Sequence, residues 1–262
     1  MYHYFFENLT LVQILVLGLS AMLIGANKLG CPAIGILPVV LLAIVFPAKI
    51  SPGIQLILIV VADLLAVAYY RRHANWKIIL RVIPFCLVGI VCGFFALRSI
   101  DEQHLRPVIG ALILGLVVLN LFRARLQAFL ADKGLAMAAF FGVMVGFSTH
   151  LANAAGPISA MYLLMMHLRK EEYMGVSCWL FLILNWGKMP IFIFEGRVTM
   201  EALKMDIAVL PMILVGGALG ILFLNKVPQR HFDQFIQVLV FLSAIYLIFA
   251  KTINAWLGIF IG

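Results

Sequence analysis

Residues 134–168 read GLAMAAFFGVMVGFSTHLANAAGPISAMYLLMMHL, without a single Asp, Glu, Lys or Arg. A helix that crosses a membrane needs about 20 mostly apolar residues, so this run is too long for one crossing. Its middle, GFSTHLANAAGP at 146–157, is small, polar and Pro-ended. An unpaired peptide group in lipid costs several kcal/mol, and irregular backbone survives at that depth only where protein buries it or a cavity hydrates it. The stretch therefore reads as a broken or re-entrant helix. A second such break, GANKLGCPAIGILP at 25–38, interrupts residues 8–48, where Lys28 is the one charge. Two tight surface turns would also use Gly, Asn and Pro, but they leave unexplained why both halves of the chain begin this way.

Composition agrees with this setting. The 262 residues are 65% hydrophobic and 11% charged, where soluble domains carry about 25% charged residues. That excludes a soluble enzyme, and the chain has no polar block of domain size. The net charge of +8 belongs to short loops and orients the chain in a membrane; it does not point to nucleic acid. The start, MYHYFFENLT, lacks the basic region and small-residue cleavage site of a signal peptide, so the first helix is expected to be retained.

Cutting at the charges gives spans near 9–27, 30–47, 53–70, 79–97, 107–122, 134–149, 154–168, 173–194, 206–224 and 234–253. An offset of 127 residues brings Pro84, Gly89 and Gly93 onto Pro211, Gly216 and Gly220, while 121 or 122 pairs Gly25 with Gly146 and Asp63 with Asn185. The expected fold is an all-α polytopic membrane protein of about ten segments, in two inverted five-segment repeats with broken or re-entrant Gly/Pro-rich helices. The repeats occupy 1–128 and 129–262. A repeat with an odd number of crossings enters the membrane upside down the second time, as in many secondary transporters that bind substrate between their halves. With ten spans, twelve Lys and Arg face one side and six the other (Lys49, Arg98, Arg106, Arg197, Lys204 and Lys251), which puts both termini outside; with re-entrant breaks the count falls to eight spans and the two sides are recounted. The Gly89/Gly93 and Gly216/Gly220 spacings let helices approach closely, within one chain or across a homodimer.

Four ionisable residues fall at depths where charge is rare: Lys28, Asp63, His150 and Lys188. Broken helices expose amide groups with partial positive charge, and two lysines beside them make a pocket for a small oxyanion. The substrate-binding set read from the two breaks and the eighth span is Asn27, Lys28, Cys31, Ser148, Thr149, His150, Asn153, Gly156, Asn185 and Lys188. His150 or Asp63 would carry a coupled proton. Each has a plainer reading. Lys28 would snorkel to the surface, Asp63 and Lys188 would neutralise each other, and His150 would be a neutral core histidine. Trp76 and Trp256 read as headgroup-level anchors, and Trp179 and Trp186 as packing residues. The cysteines lie in apolar stretches without a CxxC pair, so neither disulfides, metal nor any other cofactor is expected. No HExxH, GxSxG or phosphate-binding loop occurs, and the chain reads as a non-enzyme.

The first break, Gly25…Gly30-Cys-Pro-Ala-Ile-Gly-Ile-Leu-Pro-Val, resembles a degenerate form of the Gly-rich first motif of the sulfite exporter TauE/SafE family, also called the 4-toluenesulfonate uptake permease family. Gly146…Asn153-Ala-Ala-Gly-Pro resembles its second motif, and Ala74-Asn75-Trp76 and the matched Pro/Gly pairs fit as well. The resemblance implies a multi-pass transporter of the bacterial cytoplasmic (inner) membrane. It would move a sulfonate such as sulfoacetate, or a sulfite- or thiosulfate-like oxyanion, among membrane lipids and with a proton as the candidate coupling ion. The departure is Asn27-Lys28-Leu29-Gly30-Cys31, where the family usually has small residues. Two other readings stay open at this point: a passive anion channel, and a thiol redox conduit using Cys31 and Cys178.

Overall fold

The computed structural model describes residues 9–30, 32–122, 125, 134–166, 168–223, 241, 245, 248 and 249. Among them, all regular structure is helical. The first part holds α1 (Leu11–Leu29), a 3-10 turn (Pro32–Ile36), α2 (Leu37–Val45), α3 (Ser51–Tyr70), α4 (Trp76–Arg98) and α5 (Glu102–Leu121). The second holds α6 (Gly134–Ala152), α7 (Gly156–Met165), α8 (Lys170–Phe194) and α9 (Met200–Phe223). Six helices (α1, α3, α4, α6, α8 and α9) are long and apolar enough to cross a membrane. All but four residues of the expected span near 234–253, together with Trp256 and the loop charges Arg123, Lys133, Lys226, Arg230 and Lys251, lie outside the described residues.

The two breaks are hairpins with short return arms. Of the expected spans 30–47 and 154–168, the first contains the 3-10 turn and α2, with 9 residues, and the second α7, with 10. At 1.5 Å per residue each reaches about half of a 30 Å hydrocarbon core. Helix α1 starts on a capping box: the Thr10 hydroxyl accepts from the Gln13 N–H, while Gln13 Oε1 accepts from the Thr10 N–H at 2.8 Å. Gln13 Nε2 also donates to the Val45 carbonyl at 3.2 Å, so the end of α2 comes back beside the start of α1. In the second hairpin the Phe141 and Tyr162 rings lie 6.1 Å apart, which folds α7 back along α6.

Close approaches at glycine fix how the hairpins meet the long helices. Gly25 of α1 sits on the Ile213 carbonyl of α9, and Gly216 of α9 sits on the Met22 carbonyl of α1. Gly146 of α6 sits on the Cys86 carbonyl of α4, and Gly89 of α4 sits on the Val143 carbonyl of α6. At each of these positions a Cβ would strike the facing backbone. Further along, Gly220 of α9 meets Ala26 of α1, four residues beyond the Gly216–Met22 contact. Gly142 of α6 meets Phe85 of α4, while Gly93 of α4 meets His150 of α6. The positions advance together, so α1 runs parallel to α9 and α4 parallel to α6. Adding 121 on α1 and 127 on α4 turns one pair of contacts into the other. The small-residue spacings expected to bring helices together thus do so inside this chain.

Helices α3 and α8 cross antiparallel through the centre. Leu56 and Val60 pack on Phe192 and Met189, Asp63 meets Asn185, and Gly175 rests on the His73 backbone. Helix α3 is the most buried of the six, with 78% of its apolar window buried, whereas α9, with 28%, is the least. Leu80, Leu87, Val91 and Phe95 form an exposed stripe on α4, the face such a helix turns to lipid. Helix α9 begins earlier than the expected span, because Thr199 Oγ1 accepts from the Ala202 N–H at 3.2 Å. Asp206, placed by sequence at a span edge, is therefore fully buried inside a helix.

Candidate functional site

Helix α6 ends because Asn153 adopts a left-handed backbone, φ 54°, a conformation Asn tolerates through its short polar side chain. The carbonyls freed at such an end carry partial negative charge, and two buried cations meet them here. Lys188 Nζ donates to the Thr149 carbonyl at 3.0 Å, to Thr149 Oγ1 at 2.7 Å and to Asn153 Oδ1. Arg197 donates to the carbonyls of His150, at 2.9 Å, and Leu151, at 3.0 Å. Its guanidinium stacks on the Phe192 ring, 3.8 Å from the centroid. Asn153 Nδ2 then ties the break to α3, donating to the Pro52 carbonyl at 2.7 Å and to Gln55 Oε1 at 3.3 Å.

Helix α1 ends differently. Lys28, in its last turn, forms an ion pair with Asp63, Nζ to Oδ1 2.6 Å. The other carboxylate oxygen, Oδ2, accepts from Asn185 Nδ2 at 2.6 Å. The Lys28 ammonium also lies 4.3 Å from the centre of the Phe181 ring, a favourable cation–π placement. Tyr70 donates from its hydroxyl to the Leu29 carbonyl at 3.2 Å. Asp63 is thus paired with Lys28, not with Lys188, and Lys28 turns inward instead of reaching for the surface.

Between the two breaks lies a cavity of about 70 Å³. Asn27, Lys28 and Gly35 from the first hairpin, and Thr149, Asn153, Gly156 and Ser159 from the second, form part of its wall. Gln55 and Ile59 of α3 and Tyr173, Ser177, Cys178, Phe181 and Asn185 of α8 form the rest of the polar and aromatic lining named here. The side chain of Lys28 is 12% exposed while that of Asp63 is 0%, so the cavity meets the cation and the carboxylate stands behind it. Gln55 Nε2 is buried without a hydrogen-bond partner among the described residues. Gly156, at the N-terminus of α7, lies in the same wall.

Six of the residues singled out from sequence line this cavity: Asn27, Lys28, Thr149, Asn153, Gly156 and Asn185. Ser148, His150 and Lys188 do not. Ser148 turns back on its own helix, donating to the Met144 carbonyl at 2.8 Å. His150 Nε2 lies 3.2 Å from Glu195 Oε1, with the ring set edge-on between Phe94 and Phe192. Lys188 has three acceptors for its three protons. Cys31 lies outside the described residues. Gln55, Ser159, Ser177 and Tyr173 are cavity residues that sequence reading missed, as it missed the Glu195–Arg197 pair. Gln55 alone gave a usable signal, a polar side chain near the start of an otherwise apolar span.

The Glu195–Arg197 loop follows the span of α8. Burial pushes the Glu195 carboxyl up, but its hydrogen bond with His150 and the charge of Arg197 prevail and hold it below the usual range. Burial lowers Arg197 to about 10 against the pull of Glu195, which leaves it charged at neutral pH. Its hold on the end of α6 is therefore permanent under ordinary conditions.

Long apolar helices, two hairpins with half-length return arms and a polar cavity between them are the features of a multi-pass membrane protein. The sulfite exporter TauE/SafE family model matches residues 10–247, and the chain belongs to that family. No curated protein and no solved structure matches it.

Proposed function

We propose that the protein is a secondary transporter of a small organosulfur anion, a sulfonate such as sulfoacetate or a sulfite- or thiosulfate-like oxyanion, in a bacterial cytoplasmic membrane. The observation that carries this reading is the Lys28 ammonium in the wall of a cavity shared by both helix breaks. Asn27, Thr149, Asn153, Asn185 and the Gly156 amide would turn donors to the anion's oxygens, and Gln55 Nε2 brings a donor that has no hydrogen-bond partner among the described residues. Lys188 would act one step back, by holding Thr149 and Asn153 in place, and His150 through the Glu195–Arg197 loop. The family supports transport of sulfite or a related anion.

Alternating access in this reading comes from two inverted halves, 1–128 and 129–262. The paired glycine contacts of α1 with α9 and of α4 with α6, at the offsets seen in the sequence, support such a relation, as does the antiparallel crossing of α3 and α8. The test is uptake of labelled sulfoacetate and sulfite into proteoliposomes. A carrier gives saturable uptake that unlabelled substrate trans-stimulates, and Asn27→Ala and Gln55→Ala weaken the apparent affinity. Linear, non-saturating flux without trans-stimulation would identify a channel instead.

A further inference from the structure

The Lys28–Asp63 pair has an arrangement that couples two ligands. Lys28 Nζ is 2.6 Å from Asp63 Oδ1, the lysine lines the cavity at 12% exposure and the carboxylate has none. An anion entering the cavity reaches the lysine from the open side and competes with the carboxylate behind it. We propose that this pair makes anion binding proton-linked: the anion takes over Lys28, and Asp63 takes up one proton from solvent as it is displaced. This rests on the cavity being the anion site.

The exchange balances in charge and atoms. Before binding, an ammonium faces a carboxylate. Afterwards the ammonium faces the anion and Asp63 is a neutral carboxyl, so one anion and one proton are held together. Breaking a buried pair by removing one partner is strongly unfavourable when the other charge stays behind, and a proton on Asp63 removes that charge. Asn185 Nδ2, 2.6 Å from Asp63 Oδ2, still has an acceptor in the neutral carboxyl, so the second partner need not move.

Among the described residues, the surroundings of Asp63 supply no substitute cation at hand. From α1 it is faced by Lys28, and from α8 by Asn185, Cys178 and, more remotely, Lys188. Lys188 is occupied by Thr149 and Asn153. Helix α2 carries no titratable residue, and those of α9, Glu201, Lys204 and Asp206, sit in its first two turns. Thr149 and Asn185 stand where the offsets of 121 and 122 would place the partners of Lys28 and Asp63 in the second half. The ionic pair is thus peculiar to one side of the cavity.

The test is calorimetric titration of the purified protein at pH 7 with sulfoacetate, thiosulfate and 4-toluenesulfonate, each in Tris and in imidazole, both free of sulfonate. The difference in observed heat between the two buffers counts protons. One proton taken up per anion in the native protein, and none in Asp63→Asn with binding retained, is the expected result. Binding without proton uptake in the native protein would overturn the coupling and leave the anion site standing. Absence of binding by all three anions would remove the site and the coupling with it. The native count decides the matter even if Asp63→Asn does not fold.

Discussion

Lys188 and Thr149 form a double contact, ammonium to carbonyl at 3.0 Å and to hydroxyl at 2.7 Å, that closes the end of α6. Replacing Lys188 with Met keeps the apolar stem and takes the ammonium from Thr149 Oγ1 and Asn153 Oδ1, while the Thr149 carbonyl keeps the Asn153 N–H at 3.1 Å. Each unsatisfied buried acceptor costs about 1–3 kcal/mol, so Lys188→Met is expected to lower the melting temperature of the purified protein. Asn153→Ala, which removes the same acceptor and the tie to Pro52, is expected to move it in the same direction. Thermal unfolding of the two variants checks this. An unchanged melting temperature in both would mean that the break is held by something else.

The glycine contacts lead to a paired expectation. Gly25→Val and Gly146→Val each push a side chain into a facing carbonyl, of Ile213 and Cys86 respectively. Overpacking of that kind costs about 1–3 kcal/mol. Both variants should lose stability by similar amounts, since the two contacts are counterparts in the two halves. Substitution at Gly115, which has open space around a Cβ, should be nearly silent in the same unfolding assay.

Asp206 offers a gain. It is fully buried in α9, and neither carboxylate oxygen has a hydrogen-bond partner among the described residues. The apolar cluster around it includes Leu17 of α1 and Leu210 of its own helix. Burying a polar group without compensation is unfavourable by about 1–3 kcal/mol on mutational scales, so Asp206→Leu should raise the melting temperature. A fall would show that Asp206 holds a contact in the working protein.

Glu195 sets a pH dependence. Its carboxyl is held below the usual range by His150 and Arg197, so its folded value lies under its unfolded one. The stability it contributes is complete above the ordinary carboxylate value, about 4.3, and fades as pH falls through the lower folded value. The difference in melting temperature between the native protein and Glu195→Gln should therefore be largest near neutrality and shrink below pH 4. A difference that grows on acidification would reverse the assignment.

Much of this architecture was legible in the sequence because lipid enforces it. The charge-free run from Gly134 to Leu168 could not be one helix, and its polar centre had to be buried or hydrated. The same reasoning found Lys28, Thr149, Asn153 and Asn185, which come together in the cavity. It failed where pairing depends on how helices cross. Asp63 lies between two lysines along the chain, and only the packing of α1 on α3 decides for Lys28. Lys188 looked like a charge for a ligand because its acceptors, at the end of α6, are backbone and short polar groups without a sequence signature. Arg197 looked like an ordinary loop charge, since nothing local announces that it reaches into the carbonyls of His150 and Leu151. The return arms α2 and α7 were read as longer spans because apolar length alone does not show where a helix stops.

The most direct test of the anion site is thermal unfolding of the purified protein against sulfite, thiosulfate, sulfoacetate, 4-toluenesulfonate, sulfate, acetate and phosphate, repeated in Asn27→Ala and Gln55→Ala. A ligand at 100 times its dissociation constant stabilises the folded state by about 2.7 kcal/mol. The account predicts a clear upward shift with a sulfonate or sulfur oxyanion, smaller in both cavity variants, and little or none with acetate. An anion that saturates uptake yet shifts the native protein and both variants equally would place its binding away from this cavity and contradict the account.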